Sequence, residues 1–103
     1  MNQKDILKME AGREMDALIE KELIKGFYTF HGEYPNYSTN IAAAWEAIKE
    51  MNRKNYYVHM GILPSYSYAT FINAKNGISG WQGQALPNEL PLAICRAALL
   101  AIM

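Results

Sequence analysis

Ser38-Thr39-Asn40-Ile41-Ala42-Ala43-Ala44-Trp45-Glu46-Ala47-Ile48-Lys49-Glu50-Met51-Asn52-Arg53 is an amphipathic helix by its spacing, and the rest of the chain is read outward from it. Ser38 or Thr39 is placed to cap its start, because a side-chain oxygen there accepts from the orphan amides of the first turn. Ile41, Ala44, Trp45, Ile48 and Met51 or Asn52 recur at i, i+3, i+4, i+7 and form one apolar stripe. Glu46, Lys49, Glu50 and Arg53 fall on the other side. Glu50 precedes both Arg53 and Lys54 at ion-pairing distance, and those cations sit where the helix dipole is negative. Such a helix needs a surface to lie on. Trp45 is therefore expected to be buried against a sheet, and Ala42, Ala43, Ala44 and Ala47 to allow close packing.

The sheet is expected directly downstream. Residues 56–63 alternate Tyr56, Val58, Met60, Ile62 against Tyr57, His59, Gly61, Leu63, and Pro64 ends the run. Residues 66–73 form a second strand rich in Tyr, Thr, Phe and Ile, and the short Pro64-Ser65 connection makes the two a hairpin. Asn76-Gly77 signals another reversal into 78–84, a strand that Gly80 and Gly83 leave short or irregular.

Upstream, Asn2 is a cap for a short turn through Ile6, Leu7 and Met9. A second helical run starts near Gly12, with Met15, Leu18, Ile19 and Leu23 on one face and Gly26 as its left-handed stop. Residues 27–30 are a candidate short strand. Farther down the chain, Asn88 is a cap for a last helix that tolerates Pro91 in its first turn. From 92 to 102 that helix is apolar nearly all round, with Arg96 its sole charge, so it is buried beneath other elements or in a subunit contact. The expected class is α+β: an α/β/α layered sandwich with a small antiparallel sheet of three to four strands and about three helices. It forms one domain over residues 1–103.

Half the residues are apolar and 19% are charged, which excludes a disordered chain. The formal net charge is zero, so there is no general attraction for a polyanion. The charge is unevenly spread, however. Residues 1–50 hold six Lys/Arg against nine Asp/Glu, whereas 51–88 hold Arg53, Lys54 and Lys75 with no acid. Cys95 is the single cysteine, which rules out an intrachain disulfide and fits a reducing compartment. Lys4, Asp5, Lys8 and Glu10 interrupt any apolar leader, and the apolar stretch from Leu90 is broken by Arg96 and falls short of the roughly 20 residues a bilayer requires. No membrane association and a cytoplasmic location are expected.

The side chains offer little chemistry. Gly77, Gly80 and Gly83 recur every third residue, but they match neither the dinucleotide fingerprint nor the P-loop, whose lysine is missing; a hairpin or irregular strand is the expected reading. His31, Glu33, His59 and Cys95 lack the close paired spacing of a zinc site. Cys95 lies in an apolar helix, which raises a thiol pKa and blocks access. Glu14 and Asp16, like Glu20 and Glu22, stand two apart on a helix, do not face each other, and are expected on a solvated face. No catalytic, cofactor-binding or metal-binding residue is therefore expected. What remains is aromatic: Tyr34, Tyr37 and Trp81 form the candidate interaction surface, with Tyr56, Tyr57, Tyr66 and Tyr68 on the strands.

Three blocks together resemble the phage ABA sandwich domain. They are Ala11-Gly12-Arg13-Glu14-Met15-Asp16-Ala17-Leu18-Ile19, Tyr37-Ser38-Thr39-Asn40-Ile41-Ala42-Ala43-Ala44-Trp45-Glu46, and Pro91-Leu92-Ala93-Ile94-Cys95-Arg96-Ala97-Ala98-Leu99-Leu100. The family usually carries Asp where Asn40 stands. The resemblance implies a layered helix and sheet fold and a phage or prophage setting; it implies no activity and supplies no catalytic residue. The expectation is a small phage accessory protein that acts as a protein-interaction module, as a homo-oligomer or on a host or phage protein. The alternative is a weak nucleic-acid binder using the aromatic, slightly basic 51–88 region.

Overall fold

A computed structural model describes residues 2–25 and 34–103. The expected stop at Gly26, the strand at 27–30, and His31 and Glu33 lie outside the described residues.

Helix α1 spans Gln3–Lys8, and its start is a capping box. The Asn2 side chain accepts from the Asp5 amide, and the Asp5 carboxylate accepts from the Asn2 amide. Helix α2 spans Arg13–Ile19 and runs on into a π-helical turn, Glu20–Ile24, closed by the Lys25 amide donating to the Glu20 carbonyl at 2.6 Å. Lys25 itself takes the left-handed conformation that ends the helix, with φ 54°. Met15, Ile19 and Leu23 are buried as their spacing requires.

Helix α3 is Ile41–Arg53. Its cap is Asn40, whose side chain accepts from the Ala43 amide at 3.1 Å, and Ser38 and Thr39 do not serve as the cap. An Asp at this position would perform the same task, since either residue offers a short oxygen acceptor. Two ion pairs line the exposed face, Lys49 with Glu46 at 3.0 Å and Arg53 with Glu50 at 2.7 Å. The buried stripe is Ala44, Ala47, Ile48 and Met51. Trp45 is 48% exposed, and Ile41 is exposed beside it, so Trp45 is not buried against the sheet. The stripe has turned because the helix lies on its alanines. Small side chains let α3 approach its neighbour closely, and the bulky Trp45 falls on the flank.

Asn55, at φ 68°, ends α3 and leads into the sheet. Strand β1 (Tyr56–Ile62) pairs antiparallel with β2 (Ser67–Asn73), Val58 opposite Phe71 and His59 opposite Thr70. Strand β3 is only Gly83–Ala85, pairing Ala69 with Gly83. An isolated bridge between Ile72 and Ser79 holds the irregular stretch that precedes it. The Asn76-Gly77 reversal is present, with Gly77 at φ 71° and the Ile78 amide donating to the Asn76 side chain at 2.9 Å.

Helix α4, Leu90–Ile102, is the hub. It packs on all three strands, on α3, and on α1, α2 and the π turn. Leu92, Ala93, Ile94, Cys95, Ala97, Ala98 and Leu99 are all buried. The apolar circumference is thus satisfied within the chain and supplies no argument for a subunit contact. Its cap residue is Glu89, which makes no side-chain cap bond, and the expected cap at Asn88 is not formed. Gly83 shows how closely β3 approaches: a Cβ built there would stand 2.3 Å from the Ala93 carbonyl oxygen and 2.5 Å from the Ala97 nitrogen. Among the described residues the fold is an α+β layered arrangement in which four helices share one three-stranded antiparallel sheet.

Candidate interaction surface

The pleat sorts the strand residues. Facing α4 are Val58, Met60, Ala69, Phe71, Gly83 and Ser67, whose hydroxyl is satisfied by donating to the Leu86 carbonyl at 2.8 Å. The opposite face carries Tyr57, His59, Tyr68, Thr70, Ile72 and Gln84. Tyr57 is 50% exposed and His59 is exposed beside it. His59 meets the Tyr68 ring edge-on at 5.7 Å, and Tyr68 meets the tilted Tyr66 ring at 6.3 Å. Gly61 makes this row possible, because a Cβ there would lie 2.8 Å from the Tyr68 ring.

A second surface lies at the C-terminal end of α4. The 78–82 stretch is tied to β2 by the Gly80 amide, which donates to the Phe71 carbonyl at 2.9 Å, and Gly80 lies close to Ala101 of the helix. Ile78 and Trp81, 66% and 61% exposed, project from that stretch, and Met103 is exposed at the helix end. A cleft of about 380 Å³ beside Trp81 is lined by Asn2, Gln3, Ile6, Leu100 and Met103. A third concavity, about 580 Å³, surrounds Arg96. Its guanidinium donates to the Met9 carbonyl from Nε and Nη2, at 3.2 and 2.9 Å, and to the Gln84 carbonyl from Nη1. Burial holds the Arg96 pKa below the ordinary value, and Glu89 and Glu10 oppose that shift. Arg96 thus fastens the α1–α2 connection to β3.

The expected interaction residues separate. Trp81 is on the surface, in the cleft just described. Tyr34 is half-buried beneath the Arg13 guanidinium, which lies 5.5 Å from its ring centre. Tyr37 is 2% exposed, so it belongs to the core and not to any surface. Its hydroxyl donates to the Glu20 carboxylate at 2.6 Å. Next to it, Asp16 Oδ1 accepts from the Ser38 amide at 2.7 Å and the Ser38 hydroxyl at 2.6 Å, and Ser38 Oγ accepts from the Gly12 amide at 2.9 Å. Asp16 and Glu20 are therefore buried, not on a solvated face. They stand i, i+4 on one side of the helix, a pairing that comparison of residues two apart passes over. The signal was available in the apolar stripe itself, because Asp16 and Glu20 directly follow the buried Met15 and Ile19.

Burial, with the Asp16 charge adding to it, pushes the Cys95 thiol far up from its ordinary value, which disarms it as a nucleophile. Among the described residues no group of three or more His, Cys, Asp or Glu converges as metal ligands, and no helix is long and apolar enough to cross a membrane.

These features define a layered α+β domain whose buried polar side chains tie elements together and whose surface carries, beside its charged residues, several large aromatic and aliphatic side chains. The chain belongs to the phage ABA sandwich domain family, whose model matches residues 5–99. No curated protein and no solved structure matches it.

Proposed function

We propose that this phage-family chain serves in the cytoplasm of the bacterial host as a small accessory protein, an interaction module without catalysis. Its docking patch is Ile78, Trp81 and Met103 at the end of α4. The partner is a second copy of the chain or a host or phage protein. The observation that carries this reading is the pair of large apolar side chains, Ile78 and Trp81, held in solvent on a stretch pinned by backbone hydrogen bonds. Ile78 and Trp81 line adjoining concavities that share Leu100. Exposed large apolar side chains point to an interaction site, and Trp is enriched among the residues that dominate binding energy.

Two measurements test it. Size exclusion with light scattering at micromolar concentration is expected to give a dimer for the unaltered chain and a monomer for Trp81→Ser; a strict monomer for both removes self-association. A photocrosslinking residue at position 81 is expected to capture a defined partner from host or phage-infected cells, which the same residue at position 49 does not capture. Equal capture from both positions removes the docking patch.

A further inference from the structure

The outer face of the sheet differs in character from the Trp81 patch. Strands β1, β2 and β3 contain no Asp or Glu, so that face carries no strand carboxylate. His59, Tyr68 and Tyr66 form a continuous ring row, with Tyr57 half exposed two positions along β1 on the same face. The bare Gly61 lets Tyr68 lie across the strand. At the Tyr57 end of the sheet, the Ala74 amide donates to the Asn55 carbonyl at 2.7 Å, and Lys54 and Lys75 flank that bond in sequence. Both lysines are exposed, and neither forms an ion pair among the described residues, whereas Arg53 is engaged by Glu50. The Tyr66 end borders the Arg96 concavity, which also holds Glu10 and Glu89, whereas the Tyr57 end, with no carboxylate on its strands, has the two lysines beside it in sequence. Sequence-tolerant π-faces with cations at that end match the chemistry of a single strand: bases stack and phosphates meet lysines.

We propose that this face binds single-stranded nucleic acid, with bases stacking on Tyr57, His59 and Tyr68 and the backbone passing Lys54 and Lys75. Stacking carries most of the affinity, because only two cations are available. A duplex hides its π-faces and finds no basic groove here, so it is not a ligand. The site is separate from the Trp81 patch and does not depend on it.

The experiment is fluorescence anisotropy of labelled single-stranded oligo-dT and oligo-U, with a duplex of equal length, on the full chain at low salt. Saturable binding of the single strands alone is expected. Log affinity should fall with log salt at a slope of about −1.4, two phosphates at about 0.7 each. Tyr57→Ala should weaken binding by about 5- to 150-fold, the range of one stacked base. Tyr57→Phe keeps a π-face and should retain most of the affinity; Lys54→Gln with Lys75→Gln should flatten the salt slope, and Trp81→Ser should change nothing. No single-strand binding at high micromolar protein would overturn the proposal. So would equal duplex binding, or an affinity indifferent to both Tyr57→Ala and Tyr68→Leu in variants with unaltered circular dichroism. Self-association that consumes the same face, seen as sedimentation altered by Tyr57→Ala while anisotropy stays flat, overturns it in favour of a protein partner.

Discussion

Replacing Gly83 by alanine adds one methyl group where the structure has no place for it. The new Cβ would stand 2.3 Å from the Ala93 carbonyl oxygen, where ordinary contact begins at 3.4 Å, so something must retreat by about 1 Å. The atoms it meets are backbone of α4, fixed by the helix's own hydrogen bonds, and no side chain can swing away. Either α4 lifts from the sheet or β3 lifts from α4. The second route strains the short pairing with β2, the Ser67 bond to Leu86 and the Arg96 bond to Gln84. Overpacking costs about 1–3 kcal/mol, and the loss of one or two hydrogen bonds adds about 1 kcal/mol each. A destabilisation of about 2–5 kcal/mol is expected, lowering Tm by roughly 9–23 °C in a chain of this size. Urea unfolding followed by far-ultraviolet circular dichroism measures it. Gly80→Ala is the control, because its Cβ would find its nearest neighbours at 3.4 and 3.6 Å on the same helix and strand. A Gly83→Ala variant within about 0.5 kcal/mol of the parent, or a Gly80→Ala variant equally damaged, would refute the reasoning.

Three further perturbations follow from the same packing. Trp45→Ala should cost no more than about 1 kcal/mol in urea titrations, because the indole is half in water; a loss of 3 kcal/mol or more, the value for a buried Trp, would place it in the core. Asp16→Ala strands the amide of buried Ser38 and leaves its hydroxyl only the longer bond to the Gly12 carbonyl at 3.3 Å, and should cost about 2–5 kcal/mol. Asp16→Asn keeps an acceptor oxygen there and should cost less than half as much; equal losses would mean that charge, not acceptance, is what matters. Cys95 has its folded pKa raised, so the folded state holds the thiol proton after the unfolded chain has released it. Stability should be unaffected below the ordinary thiol value of 9.0 and fall above it, by up to about 1.4 kcal/mol per pH unit. Cys95→Ala should lose that alkaline component, and rapid labelling of the native thiol at pH 8 would contradict its burial.

The periodic elements could be read from the chain, and the places where reading failed share a cause. The β1–β2 hairpin, the Asn76-Gly77 reversal, the irregular third strand and the Asn2 cap all depend on local chemistry, and each is where its residues put it. The face of α3 depends on what it touches. A stripe drawn through Ile41 and Trp45 and one drawn through Ala44, Ala47, Ile48 and Met51 overlap in sequence, and only the alanine-lined approach to α4 selects the second. Ser38 looked like a cap because serine caps helices, but Asp16, 22 residues upstream, claims its amide and hydroxyl. The same long-range pairing drew Tyr37 inside. Trp81 needed no such partner and stayed on the surface, and the row on the outer sheet face emerged only once register set His59 and Gly61 beside Tyr68.

Helix α4 follows in sequence every element it packs against. During synthesis, α1, α2, α3 and the hairpin are all made before the residues that cover Ile6, Met15, Met51 and Phe71 exist. Until Leu92 to Leu100 emerge, the nascent chain exposes one continuous apolar surface, and its β2 edge is open to pairing with another chain. Native structure is therefore expected to arrive late and in one step. A ribosome stalled anywhere before residue 90 should hold a chaperone-dependent, protease-sensitive chain, even though most of the secondary structure has already been encoded.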